Sequence, residues 1–384
     1  MLTLLPSVPV WRDGEYLVFD RKFYDGNTFF ANEWHGEMSC VMQVSYETPP
    51  VFGLVKKRAE ELNFKIILLE QNEKIAYKHI AGSAIVLCSG DTFDQFHVSQ
   101  ICKDKNIKCV YAIEYILETR RQILDMDKLN PLIRLRRHWF LYAGEKKRIK
   151  SFALADGIQA NGAAAYNEYK HNGKSMIYYD TRMSAESQIT DSDLEAKLQS
   201  LSSPLRLGFS GRLIKMKGAD HLIKLAQILQ ERGIQYHLTI YGAGDYEDEM
   251  KRQIKESNLA DNVNMAGVLD FDEELIPTIK KEIDVYVILH RQSDPSCTFL
   301  ETMSCGIPIV GYDNKAFSGL LEQADIGWSA KMDDINGVAD IIEDLNGNLE
   351  EVKDKSRKCI AFARLHDFEQ TFKRRLEHLN SLIS

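Results

Sequence analysis

The 384 residues predict an α/β protein made of two Rossmann-like domains, each a parallel sheet covered by helices, facing each other across a cleft. Three observations lead there. The chain is long for one hydrophobic core, which favours two domains. Apolar runs of about four to seven residues alternate with amphipathic helical patterns, as expected of parallel strands buried on both faces. A polar stretch, 183–204, divides the two series. The expected division is a first domain at 1–184, a linker with one short helix at 185–204, and a second domain at 205–365. A final helix, 366–384, is expected to pack back toward the first domain.

In the first half the strands read as 64–70, 84–90, 108–115, 157–162 and 175–182, with helical patterns at 51–62 and 116–129. In the second half they read as 205–212, 236–244, 263–267, 284–290 and 307–313. Helices fall between them at 219–232, 246–257, 273–281 and 299–305. Ligands of such sheets bind beyond the carboxyl ends of the strands, so the loops there are the place to look.

Composition excludes several classes. Hydrophobic residues make up 44% and charged residues 27%, as in ordinary soluble domains. The longest run without charge, 79–90, is too short to cross a bilayer. The first residues have no basic lead and carry Pro6 within their apolar part, so they do not read as a signal peptide. Seven cysteines, an odd number without a CxxC pair, suggest reduced thiols in a cytoplasmic chain, with neither disulfide frame nor structural zinc. The net charge of −8 falls wholly in residues 201–384. By contrast, "RLRRHWFLYAGEKKRIK" (134–150) is strongly basic and interleaved with aromatics. It reads either as a solvated helix face or as a surface for anionic lipid or a phosphorylated acceptor, with Arg136, Arg137, Lys146 and Lys147 facing outward. Nucleic acid is disfavoured, because no second basic footprint accompanies it.

Three loops in the second half carry chemistry. In "FSGRLIKMKGADHLI" a strand ends at Ser210 and Gly211, a basic loop follows, and a helix starts near Gly218. Helix-start amides beside Arg212 and Lys217 would suit a diphosphate, and the segment lacks the Gly-Lys-Ser/Thr of a Walker A loop. In "YGAGDYEDE", Gly242 and Gly244 recur as in a dinucleotide fingerprint, but Glu247 holds the third glycine position. A tight strand-to-helix turn fits better than NAD or FAD binding. In "SDPSCTFLETMSCGIPIV", Thr298 and Glu301 have capping-box spacing, so Glu301 is either a helix cap or a ligand-binding carboxylate.

Two of these segments resemble a known family. "SGRLIKMKGADHLI" and "LETMSCGIPIVGYDN" are similar to the two signature segments of the family-4 (group 1) retaining glycosyltransferases of GT-B fold, in the same order and at the same separation. The subgroup it resembles acts in bacterial surface-polysaccharide and O-antigen synthesis. The resemblance covers 205–330 strongly and 1–180 by architecture only. It implies that Arg212 and Lys217, with Ser210 and Gly211, hold the donor diphosphate. Glu301, with Thr298 nearby, would grip the ribose, and the backbone of Gly267, Val268 and Leu269 would flank the base. Where the family has a first glutamate facing the sugar, this chain has Ser293 and Asp294, so Asp294 is the candidate for that contact. Where many members carry a histidine after a first-domain strand, this chain has Glu114. The family's N-terminal Gly-Gly loop reduces here to Gly26.

The implied reaction is transfer of a sugar from a nucleotide-sugar to a glycan acceptor, lipid-linked in the subgroup, with retention at the anomeric carbon. Arg212, Lys217 and helix-start amides could stabilise the leaving diphosphate without a metal or other cofactor. "DSD" at 191–193 lies in the linker and reads as a helix start rather than a metal motif. A sugar-nucleotide 2-epimerase of the same fold and a non-catalytic nucleotide-sugar-binding protein are the other readings. The implied location is the cytoplasm, peripheral on the inner face of the membrane.

Overall fold

The computed structural model describes residues 1–50, 53–126 and 129–383. They divide into two compact units. The first comprises Met1–Leu117, the chain from Leu129 to Tyr178, and the residues from Glu369 on. The second comprises Tyr179–Phe368 together with most of the helix Leu117–Met126.

The strands in chain order are β1 (Leu2–Leu5), β2 (Trp11–Asp13), β3 (Tyr16–Asp20), β4 (Met38–Gln43), β5 (Leu54–Arg58), β6 (Lys65–Leu69), β7 (Ile85–Ser89), β8 (Lys108–Ile113), β9 (Gly157–Asn161) and β10 (Lys174–Tyr178) in the first unit. The second unit has β11 (Arg206–Ser210), β12 (His237–Tyr241), β13 (Val263–Gly267), β14 (Val285–Ile288), β15 (Ile309–Tyr312) and β16 (Gly327–Ala330).

The first unit is built on a seven-stranded sheet of order β10-β9-β8-β7-β1-β4-β6, parallel throughout. Next to its central strand β7 runs the four-residue β1, buried along its whole length, a strand too short and too close to Pro6 to announce itself. A separate antiparallel sheet, β2-β3-β5, sits beside it. Here the structure corrects the helix expected at 51–62. Residues 54–58 are strand β5, paired with β3 from Tyr16↔Arg58 to Asp20↔Leu54, followed by a short 3-10 turn, Ala59–Glu61. Residues 51 and 52 lie outside the described residues. Its apolar residues fall at helical spacing, but cross-strand contacts decide: Lys56 and Arg58 lie over the Tyr16 ring at 4.5 and 5.0 Å, the kind of pairing that stabilises strands.

Gly26 is also corrected. It lies inside the helix Arg21–Glu33 and is buried there, not in a glycine loop. A Cβ at Gly26 would come within 2.6 Å of the Phe372 ring, so the glycine admits the helix Phe368–Ile383 against this one. That returning helix is tied into the sheet by Arg375. Its Nε donates to Gln159 Oε1 at 2.8 Å, Gln159 Nε2 donates back to its carbonyl at 2.9 Å, and its guanidinium lies over Tyr178.

The second unit is a six-stranded parallel sheet of order β13-β12-β11-β14-β15-β16. Numbered within the unit this is 3-2-1-4-5-6, the doubly wound order whose direction reverses between β11 and β14. The helix Ala219–Glu231 buries Leu222, Ile223, Leu225, Ala226 and Leu229 against it, joining β-strand residues such as Leu207, Phe209, Val285 and Val287 in one core. Residues 185–204 are not a detached tether. Thr190 caps the helix Asp191–Gln199 by accepting from the Asp193 amide, and Ile189, Leu194 and Leu198 are buried with Ile360.

Because Gly26 is spaced by an aromatic ring rather than by a turn, Gly26→Ala should overpack the first unit. The expected loss is about 1–3 kcal/mol, read by urea unfolding. An unchanged midpoint would show that the Phe372 ring yields freely.

Candidate functional site

The reversal point between β11 and β14 is where a doubly wound sheet opens to ligands, and the loops leaving both strands are folded tightly there. After Ser210 the chain turns at Gly211, whose φ is +149°. A Cβ on Gly242 would lie 2.0 Å from the Gly211 carbonyl oxygen, and one on Gly244 would lie 2.6 Å from that of Leu213. The two glycines of the 242–244 turn thus exist for close backbone approach. A 3-10 turn, Lys215–Lys217, leads to Gly218 at φ +78°. Its missing Cβ would strike the Leu289 carbonyl oxygen at 2.3 Å, so only glycine lets this loop press onto the end of β14. The helix that starts there, Ala219–Glu231, has no side-chain cap; its Ala219 and His221 amides donate to the Ile214 and Gly218 carbonyls, and its positive end faces this loop.

This packing delivers Lys217 to Asp294. Nζ donates to Oδ2 at 2.9 Å, and both side chains are largely buried. The other Asp294 oxygen, Oδ1, is buried and has no hydrogen-bond partner among the described residues, and the same is true of His290 Nδ1 and Gln292 Oε1. Unpartnered buried polar atoms are uncommon and call for a ligand, a water or a catalytic role. Burial first, and the Lys217 ammonium second, hold the His290 imidazole well below the usual histidine range, so the ring is neutral near pH 7. Arg212 stands exposed at the loop tip. Its guanidinium makes no hydrogen bond or ion pair among the described residues.

The loop after β14 is bolted in place. Arg291 donates to both oxygens of Asp220 (2.8 and 3.0 Å), to the Lys215 carbonyl at 2.6 Å and to Asp333 at 2.8 Å. Ser293, the residue at the family's first-glutamate position, is held by Thr119 Oγ1 donating to its carbonyl, by its amide donating to Gln122, and by its hydroxyl accepting from the Lys315 amide. Asn314 Nδ2 donates to the His290 carbonyl. Arg291, Thr119, Gln122 and Asn314 were not singled out by sequence, because nothing in their local spacing marks them.

Thr298 and Glu301 do not form the capping box that their spacing allows. The helix runs Cys297–Ser304 with Ser296 at the N-cap and no side-chain cap bond. Thr298 is therefore inside the first turn, where its Oγ1 accepts from Ser296 Oγ at 3.2 Å, and it cannot form a capping box with Glu301. Glu301 is largely buried and lies 3.5 Å from an Arg182 nitrogen. Arg182 in turn stacks 3.6 Å over the Phe271 ring, a neighbour the sequence did not reveal. Burial pushes the Tyr286 hydroxyl on β14 well above the usual tyrosine range, with the Glu301 charge contributing. Gly267 ends β13 at φ +77° with open space where a side chain would be. Its carbonyl accepts from the Gly242 amide, Val268 is exposed and Leu269 is half-buried.

In the first unit, Glu114 follows β8 directly, half-buried. Its amide and that of Tyr115 donate to the two oxygens of Asp91. Arg148 holds this loop pair together. Fully buried, it donates to Asp91 and to the carbonyls of Gly90 and Tyr115, and it also bonds Glu145 and the Tyr169 hydroxyl. Arg148 thus leaves the group of outward cations on the 134–150 segment, whereas Arg136, Arg137, Lys146 and Lys147 are exposed. Glu114 and Asp294 belong to different units.

These two doubly wound units define the chain as a GT-B protein. HepE from Anabaena, solved in complex with UDP, superimposes with a TM-score of 0.69 over 99% of both chains at 14% identity, which is a likeness of fold. Residues 191–365 match the family Glycosyl transferases group 1, and the second unit carries a domain of that family. Among curated relatives, the amylovoran biosynthesis glycosyltransferase AmsK of Erwinia amylovora is 29% identical over 154 residues, covering 37% of this chain and 36% of AmsK. The poly(ribitol-phosphate) alpha-N-acetylglucosaminyltransferase of Staphylococcus aureus is 26% identical over 145 residues, covering 37% of this chain and 28% of that protein. The chain therefore spans about a third of the length of these relatives.

The buried pair predicts unequal costs for the two cations. Lys217→Ala would leave the Asp294 carboxylate buried without a counter-ion, a loss of roughly 3–5 kcal/mol. Arg212→Ala should leave the melting temperature unchanged, because its side chain is solvated. Similar thermal stability for the two variants would remove the buried ion pair as a structural element.

Proposed function

We propose that the protein is a glycosyltransferase that moves a sugar from a nucleotide-diphosphate donor to a glycan acceptor in bacterial surface-polysaccharide synthesis. The observation that carries this reading is the arrangement at the β11/β14 reversal: an uncapped helix start, a free Arg212, and Lys217 paired with an Asp294 whose second oxygen is unpartnered. The Glycosyl transferases group 1 match over the same residues supports it, as do the UDP complex of HepE and the amylovoran-biosynthesis role named for AmsK.

The proposed chemistry follows from charge. Cleaving the glycosyl–phosphate bond leaves negative charge on the diphosphate. Arg212, Lys217 and the positive end of the helix Ala219–Glu231 would stabilise it as it grows, with no metal or cofactor required. Asp294 Oδ1 can accept from a donor-sugar hydroxyl while Oδ2 keeps Lys217 in place. Glu301 would accept from the ribose hydroxyls, beside the open backbone at 267–269. Glu114, presented by the Arg148–Asp91 clamp, would orient the acceptor or the sugar. Retention at the anomeric carbon, a lipid-linked acceptor and a site of action at the cytoplasmic face of the membrane complete the reading.

Arg212→Ala tests the diphosphate contact without the stability cost of Lys217. It should weaken UDP-, GDP- or dTDP-sugar binding, whichever is the donor, by about tenfold or more, since a charge-assisted bond is lost. Glu301→Gln should reduce transfer while the melting temperature stays close to that of the parent, because no helix cap is lost. Titration calorimetry against the donor panel and product analysis by anomeric NMR read both effects. Full donor affinity in Arg212→Ala together with full transfer in Glu301→Gln would overturn the reading.

A further inference from the structure

We infer that the first half of the helix Pro131–Leu154 is a docking surface for an anionic phospholipid bilayer. This deepens the membrane-facing part of the proposed function, but its test reads lipid binding and needs no donor or transfer.

The helix has two dissimilar halves. From Gly144 on it is seated in the first unit. A Cβ on Gly144 would lie 2.0 Å from the Phe93 ring, Arg148 and Phe152 are fully buried, and Ser151 donates to the Phe96 carbonyl. Before Gly144 the helix runs on with almost every residue exposed. Those thirteen residues, 131–143, extend about 20 Å at the ordinary helical rise. Asn130 caps their start, accepting from the Leu132 amide.

What they expose is unusual. Leu132 is 77% exposed, Leu135 69% and Trp139 66%, with Ile133, Phe140 and Tyr142 at 44–51%. Leu132, Leu135, Trp139 and Tyr142 recur at three- and four-residue steps and so form one stripe. Ile133 and Phe140 flank it, and Arg136 lies over the Phe140 ring at 5.4 Å. Isolated exposed apolar residues need no explanation, whereas a contiguous stripe of them marks an interaction surface.

Charge selects the partner. Residues 131–143 contain Arg134, Arg136 and Arg137 and no acidic residue, in a chain of net charge −8. Lys146 and Lys147 continue the exposed cations on the next turn. An apolar stripe with a large aromatic, bordered by arginines, is the composition of a helix lying in the headgroup plane of an anionic leaflet. Arginine stems can run along the apolar surface with their guanidinium groups at phosphate. No helix among the described residues is long and apolar enough to cross a membrane, so the helix lies on the bilayer rather than through it.

The test is sedimentation of the whole protein with vesicles of phosphatidylglycerol and phosphatidylcholine, or of phosphatidylcholine alone, at low and high salt. Two variants accompany it: Leu132→Ser/Leu135→Ser/Trp139→Ser and Arg136→Glu/Arg137→Glu. The parent should bind the anionic vesicles at low salt and be released by high salt. The charge variant should lose about fivefold or more in partition per cation, and the serine variant should lose binding altogether. Both should melt like the parent, because the altered side chains are exposed. Absence of binding to anionic vesicles at low salt overturns the inference, as does binding untouched by both variants. A parent dimer that the serine variant dissociates also overturns it, since a second copy would then cover the stripe.

Discussion

The second unit depends on how closely one loop can approach one strand. Gly218 has no Cβ to keep it from the Leu289 carbonyl, and this sub-van der Waals allowance for any larger residue sets everything around it. With the loop pressed down, Lys217 is carried inward to Asp294, the helix Ala219–Glu231 begins at the sheet reversal, and Arg291 can reach the Lys215 carbonyl and Asp220 together. A loop held a few ångströms further out would leave a surface lysine, a misplaced helix start and an unpaired carboxylate. The positive φ and the missing side chain at one residue thus fix both packing and electrostatics.

The strands most easily read from sequence were those with long uninterrupted apolar runs, such as β7, β8 and β14, whose burial on both faces leaves no polar alternation. β1 and β16 escaped because Thr3 and Pro6 interrupt the first and Gly327 and Ser329 the second, whereas β14, equally short, is apolar throughout. β5 was mistaken for helix because Leu54, Val55, Ala59 and Leu62 fall at helical spacing while the strand itself is only half-buried. In the site, Arg212, Lys217 and Glu301 stood out through motif spacing. The burial of Lys217 against Asp294 did not, since a lysine in a basic loop reads as solvated until the backbone around it is known. Thr119, Gln122 and Arg182 are distant in sequence from what they touch, and no local signal could have pointed to them.

Arg148 shows how misleading a run of like charges can be. It sits among exposed cations, yet its guanidinium is fully buried and saturated with acceptors from three separate chain segments. Five donors in a fixed plane allow one arginine to tie two strand-end loops to a helix, which lysine could not do. The same helix thus combines a solvated half and a half that acts as an internal clamp. Helical periodicity alone does not separate them, because the difference lies in what the neighbouring strands present.

The helix Phe368–Ile383 returns to the sheet that the chain began. The bonds between Gln159 and Arg375 join residues 216 positions apart, with almost the whole second unit between them. During synthesis the first sheet therefore emerges early but keeps Tyr178, Phe30 and the space above Gly26 uncovered until residues 368–383 appear. The second unit has its own core and needs no such wait. The order of completion is the reverse of the order of emergence, and the uncovered aromatic surface is the part of this chain most in need of a chaperone while translation continues.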